Sequence, residues 1–297
     1  MSLLVAIPFG VAAAIAYGAA TAVQHQAAHT GTGEADAGGL LRLLRDPRWL
    51  LSIGGDTIGL VFQVIALATG PVVLIQPLLV LTLPVSLFVG YLLGGPSPRR
   101  GDYLACLAII CGLAVFFVLL GTPGEGHPPK PRAILATVVI ALLAGGALCA
   151  LVSREGPTLR AGVYGGVAGA WFGTVGVLLN ASATQFTEHG MRGLLLHAPG
   201  LVPLLGVVVM GVLGMTLTQV SFQVGALAAS FPANKSADPV AAVVLGAVLL
   251  HERVPAGGTH VVSYLLCLAA IVLGAVRLAA PPSGTMAADE HRATRAV

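Results

Sequence analysis

Lys235 and Asp238 stand three residues apart in a stretch, 225–250, that is otherwise mostly small or apolar. An ammonium is a compact charge that gives up its proton readily on burial, whereas a guanidinium stays protonated. Of fifteen basic residues only Lys130 and Lys235 are lysines. A lysine at this place suits one of two tasks, holding an anionic group of a solute or exchanging a proton. On a helix the Asp238 carboxylate falls within its reach, which offsets much of the ~2.5–3.5 kcal/mol that a charge at a bilayer centre costs. The plainer alternative is a structural ion pair, or a re-entrant loop reached by water. Asn234 adds an amide beside the pair.

Asp56 is the second acid inside an apolar run, and Gln63, seven residues on, shares its helical face. Gln63 and Gln223 hold equivalent places in two similar stretches, with Gln219 one turn before Gln223. Amides facing each other would line a polar cavity, or would make interhelical hydrogen bonds worth ~0.6–2 kcal/mol. His25 and His29, beside Gln24 and Gln26, have the spacing to share a metal or a proton, although helix-end histidines are more often solvated. Asn180 and Gln185 hold comparable places later in the chain. Cys106, Cys111, Cys149 and Cys267 all lie in apolar runs and read as small packed hydrophobes. No cofactor and no metal site is expected. The chain has no Walker A loop, no HExxH, no nucleophile elbow and no basic patch with interleaved aromatics. Enzyme activity and a nucleic-acid partner are therefore not expected.

The elements that must position these residues belong in a lipid bilayer. The 297 residues are 56% hydrophobic and 9% charged, with mean hydropathy +0.92. Soluble domains carry about a quarter charged residues; so few cannot cover a water-facing surface, and lipid is the solvent that tolerates them. At ~20 apolar residues per crossing, nine spans are expected near 3–27, 49–69, 72–94, 102–121, 132–152, 159–183, 200–221, 224–250 and 259–279. The first reads as a span and not as a removed signal peptide. Counting Lys235 as intramembrane requires the eighth span to begin near Gly225, because residues 239–250 alone would reach only ~18 Å. Lys235 then falls near its middle. Pro232 and Pro239 bracket it, and the sequence predicts a broken helix there. Trp49, Tyr91 and Tyr264 are candidate interface anchors.

Arginines sort by side. Arg42, Arg45, Arg48, Arg99, Arg100, Arg154, Arg160, Arg277, Arg292 and Arg295 fall on one face, and Lys130, Arg132, Arg192 and Arg253 on the other. The positive-inside rule makes the first group cytoplasmic, with the N-terminus outside and the C-terminus inside. The loop with Glu34 and Asp36 reads as solvated.

Two stretches read alike. Phe9-Gly10 to Ala28, Gly39-Leu40-Leu41 and Phe62-Gln63-Val64 match Tyr164-Gly165 to Ala183, Gly193-Leu194-Leu195 and Phe222-Gln223-Val224. A proline-bearing helix follows each, Gln76-Pro77 through Pro84 and Phe231-Pro232 through Pro239. Equivalent helices lie five spans apart, an odd number, so the halves insert with opposite orientation, an arrangement of secondary transporters. The expected fold is therefore all-α, a polytopic membrane bundle of about nine transmembrane helices built from two inverted repeats. Residues 1–121 form the first repeat, 122–157 a linker with the fifth helix, 158–280 the second repeat and 281–297 a disordered cytoplasmic tail.

The apolar helix led by Pro239 and ended by His251-Glu252-Arg253, with a glycine-bearing apolar helix after it, resembles the signature of the drug/metabolite transporter superfamily, EamA-like. The four-plus-five helix count, and the segment from Arg48-Trp49 through Gln63 to Gln76-Pro77, are similar to its NIPA branch, described as magnesium transporters. The first half departs from the pattern, with Gly94-Gly95-Pro96 where an acidic-basic pair would stand. The resemblance implies a carrier in the cell membrane that works by alternating access, its partners being the bilayer, a small-molecule or ion substrate and, as an open arrangement, a second copy in a homodimer. For magnesium, which prefers several oxygen ligands, Asp56 and Asp238 are the only intramembrane carboxylates. A small metabolite, with optional proton coupling, is the favoured substrate, and a non-transporting scaffold is the remaining alternative. The candidate substrate or coupling residues are Lys235, Asp238, Asp56, Gln63, Gln223 and Asn234.

Overall fold

The structure, a computed structural model, describes residues 2–30, 47–95, 97–121, 126, 129–224, 227–252, 255 and 257–279, without the side chains at 24–30, 47–49, 222, 227–228, 231–232 and 279. Arg42, Arg45, Arg253, Arg292, Arg295, Glu34, Asp36 and the tail from 281 lie outside the described residues. So do the side chains of Gln24, His25, Gln26, His29, Arg48 and Trp49.

Among the described residues every regular element is helical: α1 Leu3–Thr30, α2 Pro47–Thr69, α3 Val72–Leu78, a 3-10 turn Leu79–Leu81, α4 Thr82–Leu92, α5 Arg100–Leu120, α6 Pro131–Leu151, α7 Pro157–Leu196, α8 Ala198–Val224, α9 Leu227–Leu249 and α10 Gly258–Ala279. The starts follow ordinary chemistry. Pro47, Pro131 and Pro157 stand at first helical positions, where a missing N–H costs nothing. At α5 the Asp102 carboxylate accepts from the Arg99 amide at 2.8 Å. Within α7, Gly190 adopts φ 64, ψ −164. That conformation suits glycine and divides a 40-residue helix that would otherwise run ~60 Å, twice the bilayer core.

Among the described residues eight helices are long and apolar enough to cross a membrane: Leu3–Val23, Leu50–Thr69, Val72–Leu92, Arg100–Leu120, Pro131–Leu151, Pro157–Leu196, Ala198–Ser221 and Gly258–Leu278. They match eight of the nine expected spans, and the fold is that of a multi-pass helical membrane protein. The remaining one, the eighth in order and expected at 224–250, is helical as α9 but does not count among these helices. It carries Asn234, Lys235, Ser236 and Asp238 in its first half. Even so, α9 lies within the bundle, packed chiefly on α7 and also on α3, α10 and α8.

The predicted break in this helix is absent, since Leu227–Leu249 is one continuous helix. The interruption falls instead in the other proline-bearing span, where the 3-10 turn Leu79–Leu81 separates Pro77 from Pro84. Continuity in α9 comes with support. Gly165, Gly169 and Gly173 of α7 lie so close to the backbone oxygens of Ser230, Asn234 and Asp238 that a Cβ at any of the three would overlap them. A glycine track of this kind lets two backbones press together along several turns, and such tertiary packing overrides local helix-breaking tendencies.

Burial differs between the two ends of the bundle. All seven residues of α3 are buried, while no residue of α4, in the same span, is. At the α3 end the Ser2 amide donates to the Thr69 carbonyl at 3.1 Å, and Ala6, Ala66, Leu67, Val72, Ile75, Leu249 and Leu250 share one core cluster.

Candidate functional site

Polar side chains recur along α9 at the α7 contact. Asn234 is buried, and its Nδ2 donates to Thr218 Oγ1 of α8 at 3.0 Å. One turn on, Asp238 is half-buried with Oδ1 sealed from solvent and without a hydrogen-bond partner among the described residues. One turn back, Ser230 Oγ is likewise sealed and without such a partner. Lys235 stands close enough for its charge to act on Asp238. Asp238 lies eleven residues into a 23-residue helix, ~17 Å along an element ~34 Å long. The carboxylate therefore occupies the middle of α9, with Lys235 almost a turn nearer its N-terminal end.

Lys235 is exposed, and the direction it faces gives that exposure meaning. Ala242 and Gly246, seven and eleven residues on, fall within about 20° of Lys235 around the helix. Ala242 is fully buried in the core cluster, and Gly246 abuts the amide of Val73 on α3. Val240, Val244 and Val248, all exposed, lie on roughly the opposite side. The ammonium thus points to the bundle side of α9, next to Asn234 and one turn or so from Ser230, both of which are buried.

The other candidates separate. Gln63 accepts a hydrogen bond from the Tyr17 hydroxyl at 2.8 Å, and the charge of Asp56 acts on the same tyrosine. Gly59 and Gly55 admit Tyr17 and Ala20 against α2, so Tyr17, Gln63 and Asp56 form one polar contact between α1 and α2. Gln223 and Gln219 lie exposed on α8. Gln63 therefore makes an interhelical hydrogen bond, the plainer of the two roles expected of it, and does not share a lining with Gln223. Tyr264, expected as an interface anchor, is buried instead, its hydroxyl donating to the Leu119 carbonyl at 3.2 Å and its ring 5.4 Å from that of Phe116. Tyr91 is exposed. The four cysteines are free thiols. Among the described residues no group of three or more His, Cys, Asp or Glu side chains gathers to hold a metal.

A second polar centre, which sequence reasoning did not assemble, closes the α3 end. Glu252 is buried after α9, and its two oxygens accept the amides of Val72 and Val73 at 2.7 and 2.9 Å. Burial pushes its carboxyl above the ordinary glutamate range, against the pull of those two amides. Asn180 of α7 donates to the carbonyls of Leu67 at 2.5 Å and Gly70 at 3.5 Å. Gln76 sits buried against Gly176, its Nε2 without a partner among the described residues. The separate signals were present in the sequence (Gln76-Pro77, Asn180, His251-Glu252), but only the fold brings them together.

An uncharacterized protein of Corynebacterium glutamicum is 30% identical to this chain over 255 residues, spanning 84% of this chain and 86% of that protein. No protein-family model matches the chain, and no solved structure does.

Proposed function

This chain belongs to one family with the Corynebacterium glutamicum protein, and we propose that it is a secondary transporter of the drug/metabolite type, moving a small polar solute across the cell membrane by alternating access. The observation that carries the reading is Lys235, exposed on the bundle-facing side of α9 and almost a turn from a mid-helix carboxylate whose Oδ1 is sealed and without a hydrogen-bond partner among the described residues. In lipid an ionisable side chain facing a bundle interior marks a solute or proton path by default. On this reading Lys235 holds an anionic group of the solute or exchanges a proton, Asp238 and Asn234 complete its polar surroundings, and Asp56 with Tyr17 is the second ionisable element. On this reading the α3 end faces outside and the α4 end, with the exposed Lys235 side chain nearer to it, the cytoplasm.

Inverted repeats belong to the same proposal. They are supported by a recurring helix contact: α1 sets Gly10 and Gly18 against Leu78, Thr82 and Val85, as α7 sets Gly165, Gly169 and Gly173 against Ser230, Asn234 and Asp238. They are supported further by α3 meeting α9, and α5 meeting α10, each being the third or fourth span of its half.

Flux into proteoliposomes, measured for a panel of small organic anions, zwitterions and neutral metabolites with and without a pH gradient, tests the reading. At least one solute is expected to move, with Lys235→Ala cutting its flux about a hundredfold, the loss of ~2–3 kcal/mol of interaction. Full flux in Lys235→Ala would overturn the assignment of the site. Full activity in Lys235→Arg would rule out the proton-exchange role and leave the anion-binding one.

A further inference from the structure

Side chains of the second half grip the short connection between α2 and α3, and we propose that this grip is the gate of the α3 end, an openable latch in which Glu252 and Asn180 hold residues 67–73 shut. The proposal rests on the reading of the chain as an alternating-access carrier.

The connection cannot satisfy itself. Pro71 has no amide, and the amides of Leu74 and Ile75 turn back to its carbonyl. Val72 and Val73, in the first turn of α3, point amides where no helical acceptor exists. Glu252 supplies both acceptors, at 2.7 and 2.9 Å. On the α2 side the Leu67 and Gly70 carbonyls receive Asn180 Nδ2. Each of these bonds joins a side chain to backbone more than a hundred residues away, so the latch can part without unwinding any helix.

Three features mark it as one of two states. His251, the residue before Glu252, has φ 54, the one positive φ outside glycine among the described residues. It lets the chain double back so that the Glu252 amide reaches the Gly246 carbonyl at 3.1 Å. Such a conformation costs free energy and persists only when surrounding contacts hold it. Below the latch, Gln76 Nε2 is buried without a partner among the described residues, a donor that water entering on opening would satisfy. Finally, burial is asymmetric: all of α3 beneath the latch is buried, whereas toward the opposite end Lys235 is exposed and no residue of α4 is buried, the asymmetry that alternating access calls for.

The test reads opening without any solute. In protein whose four native cysteines are replaced by alanine, one cysteine is introduced either at Thr174, buried beneath the latch, or at Ala161, buried near the opposite end. Each purified protein in detergent is treated with a charged, water-soluble maleimide. Glu252→Gln and, separately, Asn180→Ala are expected to raise the labelling rate of Thr174→Cys about tenfold, as weakening one of two states by a hydrogen bond or two shifts their populations, and to leave that of Ala161→Cys within about twofold. Equal acceleration at both reporters would mean that the latch merely braces the bundle, and would overturn the proposal. Unchanged labelling at Thr174→Cys would overturn it as well. So would failure of both variants to fold, which would make the contact obligatory for structure. A failed flux assay leaves this measurement standing, and failure here leaves the Lys235 site standing.

Discussion

A carboxylate that has left water and found no full set of partners must be held by its neighbours or by its proton. The same principle applies to Glu252 at the end of the bundle, where the direction of the effect can be worked out. Burial raises its affinity for a proton in the folded protein above that in the unfolded chain. Between the two values the native state binds more protons, so stability falls as pH rises through that window and levels off above it. The Gln variant has no such titration. Thermal unfolding in detergent across pH 4 to 9 is expected to show the wild type losing stability relative to Glu252→Gln as pH climbs from the ordinary glutamate range (about 4.3). A flat difference would mean the carboxyl is no harder to ionise than in water. At this scale the sequence was readable where a residue type clashed with its surroundings. Lys235 and Asp238 announce themselves as charges in an apolar run. Tyr17 does not, because a tyrosine in a membrane helix is unremarkable until a glutamine on another helix lies 2.8 Å from its hydroxyl.

At the scale of elements, close backbone approach carries the site. Gly165, Gly169 and Gly173 set α9 against α7, and that contact fixes the height of Asn234 and Asp238. Gly169→Ala would place a methyl on the Asn234 carbonyl and is expected to cost about 1–3 kcal/mol, as overpacking does. Gly166, three residues earlier and with nothing within 4 Å of a built Cβ, is the control: Gly166→Ala is expected to be neutral or to add up to about 1 kcal/mol through helix propensity. Thermal melting in detergent compares them, and equal destabilisation by both would mean the track is not what holds α9. The positions and lengths of eight spans were legible beforehand. The state of the eighth span was not. Prolines at 232 and 239 signal a break by local rules, yet the helix is continuous, while Pro77 and Pro84 flank a 3-10 turn. Local chemistry ranks both sites as weak points, and the partner helix decides which one yields.

For the molecule as a whole, the composition fixed the solvent, since 9% charged residues leave no water-soluble surface to build. Among the described residues eight helices follow the hydropathy closely, and α9, with Asn234, Lys235, Ser236 and Asp238 in its first half, is not one of them. What no pattern foretold is the asymmetry of the two ends, one sealed by Glu252 and Asn180 and the other with an ammonium on its inner face. That property depends on contacts between residues more than a hundred positions apart. The account therefore stands on α9 being a crossing element whose inner face is wet at Lys235 and sealed further along. Spin labels placed singly at positions 230 to 246 of the protein in liposomes, with collision rates for oxygen and for a water-soluble nickel chelate, measure this directly. The account predicts a helical period in which labels near Val240 and Val244 meet oxygen, the label replacing Lys235 meets the chelate, and the label replacing Ala242 meets neither. High chelate collision at every position, with no period, would place α9 in water and contradict it.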